Sequence, residues 1–307
     1  GQNAKHVGPI RSGRFFDEHI YKMYDGFFVF GSADYRILNY FMEMDWHWVS
    51  SYVFDPEDKQ HDCDPEEPRF MCRDFDLETY NNMFTNIEEL HPYLTRRNGN
   101  YQPDLRGMRF EHRTPPGGEE ALNIYIRYSL FIYNYWAYSP QMDRYLRYEE
   151  EVGFSNPSLE RYEPHVDALT GEQITTDNVV VLVVPHYYFV KTPTTEILTI
   201  PMIGKGLAYI FRNGTVHLGY WYRPTEVGVL QVLDLNGDPF PLKPGVTWFE
   251  VVSEETILAK DTQDWRFYFN PPPVPEELAE EPINPGGLNA PYGWYEDEWP
   301  EFEEYER

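Results

Sequence analysis

The sequence predicts an α+β protein: a partial α/β N-terminal domain, a β-rich C-terminal domain of sandwich-like or half-barrel form, and an extended acidic tail. Three observations predict it. Helical and strand-like apolar spacings alternate through the first part of the chain, and short strand patterns separated by Asn-Gly turns dominate the second. The last stretch opens on Pro271-Pro272-Pro273 and carries eleven acidic residues against one basic residue, Arg307. The expected boundaries are 1–118, 119–270 and 271–307.

In the first domain, Phe15, Phe16, His19, Ile20 and Met23 recur at helical spacing over Arg14–Met23, with Asp17 and Glu18 in the favourable first turn. Asp25-Gly26 stops that helix and Phe27–Phe30 reads as a short buried strand. A second helix is expected over Ala33–Met42 with Ser32 as its N-cap, and a third over Tyr80–Leu90. Residues 96–118, with Asn98-Gly99 and Pro115-Pro116-Gly117-Gly118, form a linker-like passage. Beyond it, Leu122–Tyr128, Leu130–Tyr138 and Tyr145–Glu149 read as strands. Asn178–Val190 reads as a strand buried on both faces. Leu207–Arg212 and Val216–Arg223 flank Asn213-Gly214 as a hairpin. Val229–Leu233 and Thr247–Val252, with the Asn236-Gly237 turn, continue the meander. In the tail, Tyr292, Trp294, Tyr295, Trp299, Phe302 and Tyr305 are more rings than a solvating segment needs, so the tail reads as an extended arm that docks on its own body or on a neighbouring subunit, against the alternative of plain disorder.

The 307 residues carry 25 Lys and Arg against 51 Asp and Glu, a formal charge of −26. A field of that sign repels phosphate backbones and anionic lipid, which argues against nucleic-acid and membrane-surface partners. No apolar run reaches the length of a membrane span. Aromatic residues reach 17%, 25 of them Tyr, which suits strands and broad interfaces. Cys63 and Cys72 are the only cysteines. Two sulfurs beside His61 fall short of the four ligands of a structural zinc site. A local disulfide is expected instead, and with it an oxidising, extracytoplasmic compartment.

Several ordered motifs resemble YerB-like bacterial lipoproteins, a family of unknown function. They are Val7-Gly8-Pro9-Ile10-Arg11-Ser12-Gly13-Arg14, Asp143-Arg144-Tyr145-Leu146-Arg147, Pro164-His165-Val166-Asp167 and Thr170-Gly171-Glu172-Gln173. Asn178-Val179-Val180-Val181, Gly204–Tyr209, Gly219-Tyr220-Trp221 and Pro244-Gly245-Val246-Thr247-Trp248 complete the set. The resemblance implies a secreted or lipid-anchored envelope protein and no established reaction. It also implies strands before the Arg-Ser motif, which are either cut away or supplied by another polypeptide. The family pattern places a His before the Gly-Ser element and another before an Asn, where this chain has Phe30-Gly31-Ser32 and Tyr80-Asn81.

Candidate sites follow. Arg11, Ser12 and Arg14 precede the first helix and suit an anion, against the alternative that the arginines pair with carboxylates of the chain. His165 and Asp167, two apart, are weak candidates for a base and its orienter, against a structural role in a turn. Lys205, Trp221 and Trp248 suit a glycan or peptide groove, against aromatic core packing. Asp234–Asp238 begins like a calcium loop, but Pro239 and Gly245 stand where Gly and Glu are required, so it reads as a turn. No cofactor is expected beyond a faint calcium option on the acidic surface. The leading expectation is a non-catalytic binding or structural component that meets other subunits as a homo- or hetero-oligomer. The alternative is an enzyme acting on a cell-wall polymer, with Arg11, Arg14, His165 and Asp167 in one pocket.

Overall fold

A computed structural model describes residues 6–44, 48–50, 62–64, 66, 69–78, 81–97, 99, 101–153, 156 and 159–276. The N-terminal part contains β1 (His6–Val7), α1 (Asp17–Met23), β2 (Phe28–Phe30), α2 (Tyr35–Glu43) and β3 (Trp48–Ser50). After these come β4 (Met71–Arg73), β5 (Met83–Asn86) and α3 (Ile87–Arg96). β1, β5 and β4 form an antiparallel sheet in that order, and β2 pairs in parallel with β3. Phe15, Tyr21, Phe30, Ile37, Leu38 and Phe41 make the core between the helices and β2.

Three boundaries differ from expectation, each for a local reason. α1 starts at Asp17, because the Asp17 carboxylate accepts the Arg14 N–H at 2.7 Å and closes a turn before the helix. α2 is capped by Asp34 rather than Ser32, its carboxylate accepting the Arg36 N–H at 3.0 Å. The stretch expected as a helix from Tyr80 contains strand β5. Asn86 then caps α3 by accepting from the Glu88 and Glu89 N–H groups.

The second part is built from β6 (Arg109–Phe110), β7 (Glu119–Glu120), β8 (Asn123–Arg127), β9 (Tyr133–Ser139), β10 (Arg144–Glu150), β11 (Tyr162–Pro164) and β12 (Thr175–Thr176). Next are β13 (Asn178–Val183), β14 (Tyr187–Lys191), β15 (Glu196–Thr199), β16 (Gly204–Arg212) and β17 (Thr215–Arg223). The last are β18 (Gln231–Asp234), β19 (Pro241–Leu242), β20 (Thr247–Val252), β21 (Ile257–Asp261) and β22 (Asp264–Tyr268). One sheet runs β11-β10-β9-β8-β22-β21 and a second runs β18-β17-β16-β13-β20. Inward residues of both, among them Ile124, Trp136, Tyr145, Val181, Phe211 and Trp265, fill the space between them. The sandwich reading is therefore the observed one, and the chain is a β-rich α+β fold.

The second sheet has a buried far side too. Val180, Leu182, Ile210, Trp221 and Val232 pack there with Met23 of α1 and with Phe240 and Leu242. Arg223, fully buried, ties the layers together by donating to the Met202 carbonyl at 3.1 Å and to His19 Nδ1 at 3.4 Å. β13 lies between two cores, which is why its run of valines shows no alternation. The run ends at Val183 rather than Val190. Pro185 has no N–H to continue the ladder, and the chain restarts as β14 in a separate hairpin with β15. Similarly, Leu130-Phe131-Ile132 precedes β9 instead of belonging to it, and forms an exposed hairpin tip.

Candidate functional site

The motif residues of the second part gather at the β10–β20 side of the sandwich. Strand alternation turns Tyr145, Arg147 and Glu149 of β10 inward, and likewise Trp248, Glu250 and Val252 of β20. Glu250 is 4% exposed. Its carboxylate accepts from the Tyr128 hydroxyl at 2.6 Å and from Trp136 Nε1 at 3.1 Å. Burial pushes the Glu250 carboxyl above the usual carboxylate range, and those donors with Arg147 pull against it. Burial and the neighbouring Glu250 charge hold the Tyr128 phenol well above its ordinary value. The Arg147 guanidinium lies 4.9 Å from the Trp248 ring centre and 5.8 Å from that of Trp136. It donates from Nη1 to His165 Nδ1, and Glu149 lies 3.2 Å from the same imidazole nitrogen. Asn134 Oδ1 and Arg147 Nε are buried and have no hydrogen-bond partner among the described residues.

A second group fixes the turn before β20. Asp177 accepts from the Val246 N–H at 2.9 Å and from Arg144 at 3.2 Å, and it lies 3.3 Å from Lys243 Nζ. Asn178 donates to the Lys243 carbonyl and accepts its N–H, both at 2.8 Å. Gly245, at φ +136°, is required here, since a Cβ would meet Asp177 Oδ2 at 2.0 Å. The Asp-Arg-Tyr-Leu-Arg, Asn-Val-Val-Val and Pro-Gly-Val-Thr-Trp stretches thus hold one another in place. Gln173 joins them, donating to the Arg147 carbonyl at 2.7 Å. These contacts describe a charge-compensated girder joining two sheets. Chemically the cluster can hold a cation on indole faces and a proton on a sealed carboxyl.

The sequence-predicted residues fall in several places. Arg11 donates to Asn81 Oδ1 at 2.7 Å, and Arg14 to the carbonyls of Ser12 and Gly13 at 3.2 and 3.0 Å. The guanidinium of Arg14 is thus turned onto its own backbone, while Asp17 takes its N–H. His165 belongs to the Arg147 cluster. Asp167 does not share it: its carboxylate accepts from the Leu169 and Thr170 N–H groups and the Thr170 hydroxyl, and the bonds from Thr170 hold it below the usual range. Lys205 sits 3.8 Å over the Tyr220 ring. Trp221, 1% exposed, donates to the Val183 carbonyl on one side of the second sheet, whereas Trp248 packs on the other side. No groove holds both tryptophans, because a sheet lies between them. Asp234 spends its Oδ1 on the Asn236 and Asp238 N–H groups, the turn expected there.

Cys63 and Cys72 are joined as a disulfide. Ligand atoms of His6, Cys63 and Cys72 lie within 4.8 Å of one another, but the sulfurs bond each other rather than standing as thiolates. His61 and residues 277–307 lie outside the described residues.

Sequence profiles of one family match both parts. Its N-terminal domain, described as a protein of unknown function (DUF3048), matches residues 1–101, and its C-terminal domain matches residues 124–249. The chain belongs to the DUF3048 family. Among solved structures it is similar to the YerB protein from Bacillus subtilis, with a TM-score of 0.61 and 17% identity, covering 81% of this chain and 74% of that one. That likeness shows the fold, and the resemblance to YerB-like proteins stands with it. No functionally curated protein matches the chain. The residues that sequence reasoning missed are Arg147 and Glu250. The available signal was a Glu inside Trp248-Phe249-Glu250-Val251-Val252, on the parity of inward residues.

Proposed function

We propose that this DUF3048 chain is a non-catalytic binding or structural component of an extracytoplasmic assembly, meeting other protein subunits through sheet margins and its C-terminal arm. The observation that carries this reading is β21, a five-residue strand that ends the first sheet and, among the described residues, pairs with β22 alone. Its Ile257, Ala259, Lys260 and Asp261 are exposed. Unpaired strand groups of this kind are a template for a strand of another chain. The far margin of β2 likewise carries no strand among the described residues. The disulfide supports an oxidising compartment. Against the enzyme alternative, Arg14 and Asp167 are occupied by neighbours in their own turns, Arg11 by Asn81, and His165 by Arg147 and Glu149.

Light scattering on the purified chain tests it. Mass that rises with concentration toward the millimolar range supports assembly. A compact monomer throughout, in the presence and absence of envelope extract, overturns the reading.

A further inference from the structure

Leu130, Phe131 and Ile132 are 54%, 56% and 57% exposed, three consecutive large apolar side chains at one hairpin tip. Isolated exposed apolar residues are ordinary, whereas a contiguous set marks a surface that is covered by something. The tip is ordered by its own polar contacts. Ser129 Oγ accepts from the Phe131 and Ile132 N–H groups at 3.2 and 3.0 Å, and the Tyr128 N–H reaches the Ile132 carbonyl at 3.0 Å. These bonds leave the three side chains pointing outward. Val152, 85% exposed, and Leu159, 54% exposed, flank β10 and β11 at the same end, where the Arg161 N–H donates to the Tyr133 hydroxyl at 3.2 Å.

The chain leaves the sandwich beside this tip. Tyr268 of β22 is paired with Arg127 of β8, and the Phe269 N–H donates to the Arg127 carbonyl at 2.9 Å. Phe269 packs 6.1 Å from Tyr128, two residues before Leu130. Pro271-Pro272-Pro273 and Pro275 follow, with Pro272 buried and Pro273–Glu276 exposed.

We propose that residues 292–305 cover the Leu130-Phe131-Ile132 tip of their own chain. This goes beyond the proposed assembly: it assigns the arm's rings to their own chain at micromolar protein and leaves subunit contact there to the sheet margins. The segment supplies Tyr292, Trp294, Tyr295, Trp299, Phe302 and Tyr305, the rings that bury large area at low entropy cost. Between Glu276 and Tyr292 lie Pro282, Pro285, Gly286, Gly287 and Pro291. A linker of about sixteen residues has a root-mean-square reach of roughly 22 Å for a Gly-rich coil, and prolines lengthen it. The tip lies within that reach, because Phe131 is only four residues from Arg127, at most ~14 Å along the chain. Tethering at such range gives an effective concentration in the millimolar regime. At micromolar protein the arm of the same chain therefore outcompetes that of a second copy. The body and the arm are both acidic, so the contact is apolar rather than ionic, and salt strengthens it by screening their repulsion.

The test uses the full chain with a photoreactive benzoylphenylalanine in place of Phe131. Irradiated at micromolar concentration, it is expected to cross-link to residues 292–305 within the monomer band, with a yield that rises with sodium chloride. In the triple variant Trp294→Ser, Trp299→Ser, Phe302→Ser, which leaves the described core untouched, that yield falls about tenfold or more, as the loss of ~1.4 kcal/mol or more of contact requires. Cross-links that avoid residues 292–305 overturn the inference. Cross-links found only in a dimer band overturn it too, while leaving subunit contact through the arm standing. Intramolecular cross-links in a chain that light scattering shows to be a strict monomer support it and sink the assembly reading instead.

Discussion

Tyr135 of β9 stacks on Tyr148 of β10 with ring centres 4.5 Å apart and planes 10° from parallel. The pair is part of a row set by strand register. Arg266 faces Tyr125, Tyr125 faces Tyr135, and Tyr135 faces Tyr148 across four neighbouring strands. The Arg266 guanidinium lies 3.6 Å over the Tyr125 ring, and Tyr162 meets Tyr135 edge-on at 4.8 Å. Stacked in this way, the rings cover one another's faces, and the Tyr162 hydroxyl donates to Glu160 at 2.7 Å. The faces are closed on one another, whereas stacking on a sugar ring needs an open face.

Breaking that row in the middle carries a defined cost. Tyr135→Ala removes stacking on both sides and is expected to lower unfolding free energy by about 2–3 kcal/mol, whereas Tyr135→Phe keeps the rings and loses less than about 1 kcal/mol. Urea denaturation measures both, and equal losses would show that the stack contributes nothing. Partial burial and the adjoining tyrosines push the Tyr135 phenol up to about 12, so ultraviolet titration should find it ionising above the exposed tyrosines.

Glu250 gives a pair of variants with opposite outcomes. Glu250→Ala leaves the Tyr128 and Trp136 donors without an acceptor and costs about 2–4 kcal/mol. Glu250→Gln keeps an acceptor and removes the buried charge. The raised pKa means that the folded state holds the proton more tightly than the unfolded state. The contribution of Glu250 is therefore greatest below the ordinary carboxylate range and is lost as pH rises through the folded-state pKa. Melting temperatures should place the Gln variant at or above the parent at neutral pH, with the gap closing on acidification. A gap that widens in acid contradicts the assignment.

His19 titrates with the reverse sign. Burial lowers it from the ordinary imidazole value of 6.5, with Glu18 opposing the shift and Arg223 adding to it. The folded state disfavours the imidazolium, so stability is present at higher pH and lost as pH falls below that value. His19→Gln should flatten part of the fall in melting temperature across that window. An NMR midpoint for His19 above the free-imidazole value rules this out.

Gly206 tests the packing beneath β16. An added Cβ meets Trp221 Nε1 at 2.3 Å and the Val183 carbonyl oxygen at 2.7 Å, the two partners of one hydrogen bond. Gly206→Ala should destabilise by at least about 2 kcal/mol and red-shift tryptophan emission as Trp221 is displaced. Unchanged emission and stability would mean that the sheet yields more easily than a packed interior does.

The disulfide is the simplest case. Cys63 and Cys72 are nine apart in sequence, and closing so short a loop contributes about 2.5–3 kcal/mol in the chain-entropy model. Cys63→Ala with Cys72→Ala should show that loss in denaturant. A midpoint unmoved by the double substitution or by reductant would show the loop to be fixed without it.

Much of the second part was legible because its signals are local. Asn213-Gly214 specifies the β16–β17 hairpin through positive φ at both residues, and the valines of β13 announce a strand without a wet face. What stayed hidden depends on partners far away in sequence. Apolar Leu130-Phe131-Ile132 looks like strand interior until hairpin closure turns it outward. Trp221 and Trp248 look alike as letters, and only the sheet between them decides that they cannot meet. Arg147 acquires its setting from Trp136 of β9, Trp248 of β20 and His165 just beyond β11. The motifs that carried the family resemblance turned out to be mostly joints of the framework, which explains their order along the chain without pointing to chemistry.

The pairing of β8 with β22 sets how this protein is made. Residues 123–127 lie in parallel register with 264–268, so the first strand of that sheet waits for a neighbour made last. Until that strand has been synthesised, β8 has β9 as its partner but not β22, and the valine-rich β13 waits in the same way until β20 has emerged. Loop closure over such a separation is slow, and the waiting chain exposes sticky margins. Production in a host should therefore depend on holding chaperones, and premature termination upstream of Asp264 should yield aggregates instead of a smaller stable product.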